Sequence, residues 1–221
     1  MSGEYIIKLV DHIDQSLYYQ FSESDIEKIR ACWDCLKDFA TSFLRVQKTW
    51  QETYFNSVIR PKLKQIIPGT LSYNLADSDA LDTTSFITKV KKQFIALTGS
   101  LGGMTPRNCL GVTNLMVDYF TRDWERCVLA LHVSEIGASR FDTEVRQMTS
   151  FFVGNTYATR DKMSRLHQIS IVLNTATVDE VLGSWGDNSG AIVWRFSGAQ
   201  IKKILHLRVE FDKRQIEDLV L

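Results

Sequence analysis

Apolar side chains recur three and four residues apart along Ile26, Ile29, Trp33, Leu36, Ala40, Phe43, Gln47, Trp50 and Tyr54, a seam interrupted mainly by Gln47. That spacing, about 3.5 residues per repeat, predicts a helix that packs lengthwise against a neighbour. From Ser24 to about Ile59 it would extend about 50 Å at roughly 1.5 Å per residue, which favours an elongated bundle. Ser24-Asp-Ile-Glu27 has the form of a capping box and predicts the helix start. A weaker pattern precedes it, with Ile7, Val10, Ile13 and Leu17 on one face of a helix over Glu4 to Phe21.

Arg60-Pro61 permits a kink or a fresh helix start, and Pro68-Gly69 ends the short segment beyond it. Gly69 to Thr83 is the least periodic part of the chain and reads as an exposed connection. Helix resumes with Phe86, Val90, Phe94 and Leu97, and stops at Gly99-Ser-Leu-Gly-Gly103. After Pro106 the inward face is Met116, Phe120, Trp124, Val128 and Leu131. Gly137-Ala-Ser-Arg140 interrupts the pattern and places a boundary between an elongated bundle, residues 1–140, and a small C-terminal bundle, residues 141–221.

Beyond it, Phe141-Asp142 has a staple-like form at a helix start that carries Val145, Met148 and Phe152. A further helix carries Met163, Leu166, Ile169 and Leu173. Thr177-Val-Asp-Glu180 and Ser197-Gly-Ala-Gln200 both fit the capping box, and Asp212 can cap a last helix that buries Ile216 and Leu219. Ile192, Trp194 and Phe196 alternate as in a strand, but a strand without a partner is marginal, so they read as an extended link. The fold class is all-α.

Composition narrows the function. Apolar residues at 44% and charged residues at 24% are those of a globular chain, which excludes disorder. Lys+Arg and Asp+Glu stand at 26 each, so no whole-chain basic footprint for nucleic acid exists. Met1-Ser-Gly-Glu lacks the features of a signal peptide, and no stretch approaches the roughly 18 uncharged apolar residues of a spanning helix. A soluble, cytoplasmic chain with reduced cysteines is the expectation.

No constellation points to catalysis. Cys32-Trp-Asp-Cys35 has half-site spacing but no second ligand pair, and reads as two thiols on the long helix. His12, His132, His167 and His206 are dispersed, without His-Glu-x-x-His or Glu-x-x-His spacing. Gly186-Asp-Asn-Ser-Gly190 has its serine displaced from a protease motif, and Asp77 to Asp82 lacks the glycine and closing glutamate of a calcium loop. Arg60-Pro-Lys-Leu-Lys64 and Lys89 to Lys92 are local basic clusters, read as solvated helix faces whose field nearby acids cancel. The sequence therefore assigns no catalytic residue, no metal ligand and no cofactor.

Two features remain. Arg165 sits beside the apolar face of Met163, Leu166 and Ile169, where a guanidinium must snorkel or find an acid. Asp161 is one candidate partner, and Glu180 or Glu210 could be another across the bundle, making Arg165 a structural tie. The turn-rich run from Trp185 through Gly186, Asp187, Asn188 and Gly190 to Trp194-Arg195 is the most specific stretch of the chain. Its tryptophans serve either as core anchors or as a protein-interaction surface.

The same stretch carries a family resemblance. Phe141-Asp-Thr-Glu-Val-Arg146, Thr159 to Leu166, Leu173-Asn174, Val178 to Leu182, Trp185-Gly-Asp-Asn-Ser-Gly190, Trp194-Arg195 and Leu207-Arg-Val-Glu-Phe211 resemble, in order and spacing, the C-terminal region of the fourth subunit of the conserved oligomeric Golgi complex. Upstream the likeness is looser, through Leu115-Met116, Val128-Leu129 and Ile136-Gly137. The resemblance implies a C-terminal fragment of a longer subunit, folded as a rod-like stack of helical bundles. It also implies a tether of retrograde vesicles at the cytosolic face of Golgi membranes, peripherally associated through the complex. The partners implied are sibling subunits, SNAREs and Rab-type GTPases, with no cofactor and no chemistry. In the family pattern the position of Gln200 often holds an acid that can face Arg165; glutamine weakens that pair or moves it to Glu180 or Glu210.

Two other classes stand beside the tether. A helical enzyme would use a polar pocket near Asp187, Asn188 and Arg195, and strongly shifted carboxylates in a deep cleft would support it. A lipid- or nucleic-acid-binding helical module would need a one-sided basic face in the folded chain.

Overall fold

The computed structural model describes residues 3–17, 22–64, 66–76, 86–154, 156, 159–186, 190 and 192–221. Among these the chain is all-α, and strand-like pairing is limited to isolated bridges joining Tyr73 to Val133 and Val133 to Arg208. It forms two compact units, Met1–Phe55 and Asn56–Leu221.

In the first unit α1 (Gly3–Leu17) packs on α2 (Glu23–Tyr54), with the Lys37 ammonium 2.7 Å from the Asp11 carboxylate. The cap of α2 is Ser22 rather than Ser24. Its hydroxyl accepts from the Asp25 amide at 3.4 Å and donates to the Asp25 carboxylate at 2.5 Å, so the acid three residues on completes an earlier cap than the one read from Ser24 and Glu27. Of the predicted seam, Ile26 and Ala40 are buried, and Ile29 and Trp33 half-buried. Leu36, Phe43 and Trp50 are exposed, and Phe39 and Val46 join them, each 67% exposed. The side chains of Ile13 and Leu17 and the end of the α1 pattern, residues 18–21, lie outside the described residues.

Near the start of the second unit Pro61, lacking an N–H, cannot continue the α-helical ladder. The backbone widens to a π-helical turn, Phe55–Ile59, and α3 (Arg60–Leu63) starts afresh with the proline in its first turn. Four longer helices come next: α4 (Phe86–Gly99), α5 (Pro106–Val128), α6 (Glu135–Val153) and α7 (Thr159–Leu173). Their inward faces are those the periodicity predicts, apart from Leu131, which lies in the turn after α5 and is half-buried. The core is aromatic. Trp124 meets Phe86, Phe120 and Phe141 at centroid distances of 5.6, 5.5 and 5.5 Å, and Phe94 meets Phe120 and Phe152 at 5.6 and 5.2 Å.

Two local expectations are corrected. Gly137-Ala-Ser-Arg140 does not interrupt a helix but forms the early part of α6, whose cap is Ser134, so Phe141-Asp142 is helix interior. The glycine is there for space. A Cβ on Gly137 would lie 1.6 Å from the Tyr73 carbonyl oxygen, so only glycine lets that backbone cross the helix start. Nor is the segment after Pro68 simply an exposed connection. Tyr73 is fully buried, its hydroxyl donates to Glu144 at 2.6 Å and accepts from Trp124 Nε1 at 3.3 Å. Ser134 secures the strap: its amide donates to the Tyr73 carbonyl at 3.0 Å, and its hydroxyl donates to the Leu75 carbonyl at 2.8 Å. Residues 77–85, including Asp77, Asp79 and Asp82, lie outside the described residues.

Candidate interaction site

The turn-rich corner is built on α7. After this helix come a 3-10 helix (Asp179–Ser184), an extended link, α8 (Gly198–Leu205) and α9 (Lys213–Asp218). Gly186 and Gly190 hold φ of 61° and 56°, a left-handed backbone that costs an ordinary residue roughly 1–2 kcal/mol and sets where the chain turns. The link then runs back along α7 and finds a side chain where a strand would find a neighbour. Gln168 Nε2 donates to the Val193 carbonyl at 2.8 Å and its Oε1 accepts from the Arg195 amide at 2.9 Å. One amide group thus satisfies both polarities of the extended backbone, which is why an isolated strand-like stretch is stable here.

Arg165, one turn earlier on α7, closes the same corner. Its Nε donates to both Glu125 carboxylate oxygens at 2.9 and 3.0 Å, Nη2 donates to Glu125 at 2.7 Å, and Nη1 donates to the Arg195 carbonyl at 2.8 Å. The guanidinium lies over the Phe196 ring, 4.0 Å from its centroid. Its acid therefore comes from α5, and not from Asp161, Glu180 or Glu210. Asp161 instead pairs with Arg195 at the exposed rim. Glu180 accepts from the Ala176 amide in its own turn, while Thr177 gives no side-chain cap to the 3-10 helix, whose N-cap is Val178. Gln200 closes the capping box of α8, accepting from the Ser197 amide at 2.9 Å. Asp212 caps α9 through the Arg214 amide at 2.9 Å.

Glu210 serves a different joint. It accepts from the Glu135 amide at 2.8 Å and from Arg208 at 2.9 Å. Burial raises its carboxyl, but these donors outweigh burial and hold it below the usual carboxylate range. Arg208, itself buried, also donates to the carbonyls of Leu173 and Thr175 and lies 4.5 Å from the Phe211 ring centroid. Sequence reasoning gave a role to neither Arg208, met only within the Leu207–Phe211 resemblance, nor Glu125. Arg208 lies in the turn after α8 and Glu125 on α5, and only the packing shows what they face.

Trp185 and Trp194 pack against each other at 5.2 Å with rings 51° apart, both half-buried, and Trp194 Nε1 donates to the Ser184 carbonyl at 2.7 Å. Beside them Val193 is 83% exposed and Leu182 is exposed. Asp187 and Asn188 lie outside the described residues, so the structure brings together Trp185, Trp194, Arg195, Asp161 and Arg165 from the predicted set.

Among the described residues no group of three His, Cys, Asp or Glu side chains is placed to hold a metal. Burial lowers the His167 imidazole, whose Nε2 is 2.9 Å from the Thr149 hydroxyl, and burial raises the Cys127 thiol. Tyr73 is pushed well up by burial and then by the Glu144 charge. Each of these shifts belongs to a packed polar group. Among the described residues no helix is long and apolar enough to cross a membrane.

Comparison with known proteins points the same way. The family model described as conserved oligomeric Golgi complex subunit 4, C-terminal, matches residues 1–203. The protein of that name in Arabidopsis thaliana is 30% identical over 230 residues, covering 100% of this chain and 31% of its own length. The Homo sapiens counterpart is 30% identical over 207 residues, with 87% and 26% covered, and that of Drosophila melanogaster 26% identical over 231 residues, with 99% and 29% covered. The chain thus spans less than a third of the length of these relatives. With its matched helices and its capped C-terminal corner, it belongs to the family of the conserved oligomeric Golgi complex subunit 4 C-terminal region.

Proposed function

We propose that the chain is a non-catalytic part of a vesicle-tethering subunit in retrograde and intra-Golgi transport, working through protein–protein contacts. The observation that carries this reading, in a chain of this family, is the apolar stripe of α2. Leu36, Phe39, Phe43, Val46 and Trp50 succeed one another at three- and four-residue steps and are all exposed. A stripe of that spacing fits the groove of another helix, and five large apolar groups in water at one face mark an interaction surface. The partners proposed are other subunits of the Golgi tethering complex, seated there as helices.

The tryptophan corner is the second proposed contact. Trp185, Trp194 and the exposed Val193 offer a small apolar surface bordered by Arg195 and Asp161, the arrangement of an aromatic anchor with a polar rim. SNAREs and Rab-type GTPases are proposed for the assembled complex, at the cytosolic face of Golgi membranes. A rod-like stack of helical bundles in the whole subunit belongs to the same reading.

Affinity capture with the whole chain tests it. Wild-type chain should retain sibling subunits of the tethering complex, and Phe43→Ser with Trp50→Ser should lose them while unfolding at the same temperature. Retention of the siblings by the double variant at wild-type level would refute the stripe as the contact.

A further inference from the structure

The chain is electrically neutral, yet its charge is not evenly spread. Residues 56–76 and 86–117 contain no Asp or Glu, while they carry Arg60, Lys62, Lys64, Lys89, Lys91, Lys92 and Arg107. The fold then draws the two lysine clusters together, because Gln93 of α4 donates its side-chain amide to the Lys62 carbonyl of α3 at 3.1 Å. Lys89, Lys92, Gln93 and Ala96 recur at helical spacing on α4 and line a shallow groove of about 490 Å³ with Leu97. Ile95, three residues after Lys92 and four after Lys91, is 60% exposed. Among the described residues none of the five lysines forms an ion pair. Among the described residues the acids expected to cancel this field are not paired with these lysines; Asp77, Asp79 and Asp82, between the two spans, lie outside the described residues.

We propose that the surface where α3 meets α4, with Lys62, Lys89 and Lys92 at the groove and Lys64, Lys91 and Ile95 on its flanks, is a direct contact for an anionic phospholipid surface. A cluster of four to eight cations on one face is what such a surface attracts, at about 1 kcal/mol each. The residue type favours lipid over protein. Lysine is depleted at protein–protein interfaces, where the arginine fork and aromatic anchors prevail. This surface offers lysine point charges and the exposed Ile95, and the groove lining includes no aromatic side chain; Arg60 lies instead over the Tyr119 ring of α5, 5.5 Å from its centroid. Long lysine stems suit a diffuse layer of headgroups, and Ile95 can enter the acyl boundary between them. The inference goes beyond the tethering reading and does not depend on it, since it concerns a different surface and a different ligand.

Vesicle co-sedimentation of the whole chain tests it. The chain should sediment with phosphatidylcholine vesicles containing phosphatidylserine and not with phosphatidylcholine alone, and added salt should release it. Lys62→Gln, Lys89→Gln and Lys92→Gln together should weaken that binding on the order of a hundredfold, three cations being lost. The control Lys203→Gln, Lys213→Gln and Arg214→Gln removes the same charge from α8 and α9 and should bind as wild type. Thermal unfolding of both triple variants should stay near wild type, because all six side chains are exposed or lie at the surface. Equal binding of the two triple variants, or no preference for anionic vesicles, would overturn the proposal. Binding of a polyglutamate peptide without binding of vesicles would also overturn it, assigning the face to an acidic protein segment instead.

Discussion

Replacing Gly137 with alanine sets two physical effects of opposite sign against each other. Helix propensity alone makes Gly137→Ala stabilising by up to about 1 kcal/mol, because the residue lies in the first turn of a long helix. The neighbouring strap makes it destabilising. A Cβ would sit 1.6 Å from the Tyr73 carbonyl oxygen, so reaching an ordinary 3.4 Å contact requires a retreat of 1.8 Å (3.4 − 1.6). That retreat breaks the 3.0 Å bond from the Ser134 amide and draws the Tyr73 hydroxyl off Glu144, a buried carboxylate. Overpacking of this kind costs about 1–3 kcal/mol, and unmaking buried hydrogen bonds costs a further 1–3 kcal/mol or so. With the propensity gain set against them, a net loss of about 1–5 kcal/mol results, which for a unit of this size lowers the midpoint by roughly 2–4 °C per kcal/mol.

Thermal unfolding followed by circular dichroism is the suitable assay, with tryptophan fluorescence beside it, since Trp124, one of five tryptophans, donates its Nε1–H to the Tyr73 hydroxyl. Gly99→Ala is the control, because a Cβ there meets open space. Tyr73→Phe, which keeps the ring and loses the hydroxyl, should fall between the two, at a cost of about 1–3 kcal/mol. A Gly137→Ala protein as stable as wild type, or more so, would refute the argument.

Other outcomes concern the C-terminal corner and the titrating groups. Arg165→Ala should cost about 2–4 kcal/mol in thermal unfolding, since it strands the largely buried Glu125, and Arg165→Lys should recover only part of this because the fork is lost. Simultaneous loss of Arg165 and Glu125 should cost less than the sum of the single losses, as a double-mutant cycle would show. Gly186→Ala and Gly190→Ala should each lower stability by about 1–2 kcal/mol, because both glycines hold positive φ. Stability should also fall on the acid side. The His167 imidazole is lowered by burial, so its contribution is complete above the ordinary value of 6.5 and declines as pH falls through it. The depressed Glu210 carboxyl adds a second loss as pH falls through its ordinary 4.5. A midpoint-versus-pH series should show both steps, and His167→Gln should remove the upper one.

Much of the second unit was legible because its helices obey a single rule. Phe86, Val90, Phe94 and Leu97, and likewise Met163, Leu166, Ile169 and Leu173, recur at the period of a one-sided helix and are all buried. Ser197 with Gln200, and Asp212, could be read as caps because capping depends on residues only a few positions apart. Long-range partners could not be read in that way. Tyr73 stands in a stretch without periodicity, and what buries it is a gap at Gly137, a residue whose spacing looks like a helix breaker. The partner of Arg165 was missed for the same reason. Asp161, Glu180 and Glu210 were in view, but no spacing marks Glu125 among the acids of the chain, and it reaches Arg165 only through the packing of α5 on α7. The seam of α2 was legible as a pattern, whereas which half of it the neighbouring helix covers depends on where α1 ends.

The claim that this chain acts by binding other proteins through α2 is tested most directly by hydrogen–deuterium exchange, with and without the reconstituted sibling subunits of the tethering complex. Protection should concentrate between Leu36 and Trp50, and should be absent when Phe43→Ser and Trp50→Ser are introduced. Unchanged exchange along α2 in the presence of the siblings would contradict it.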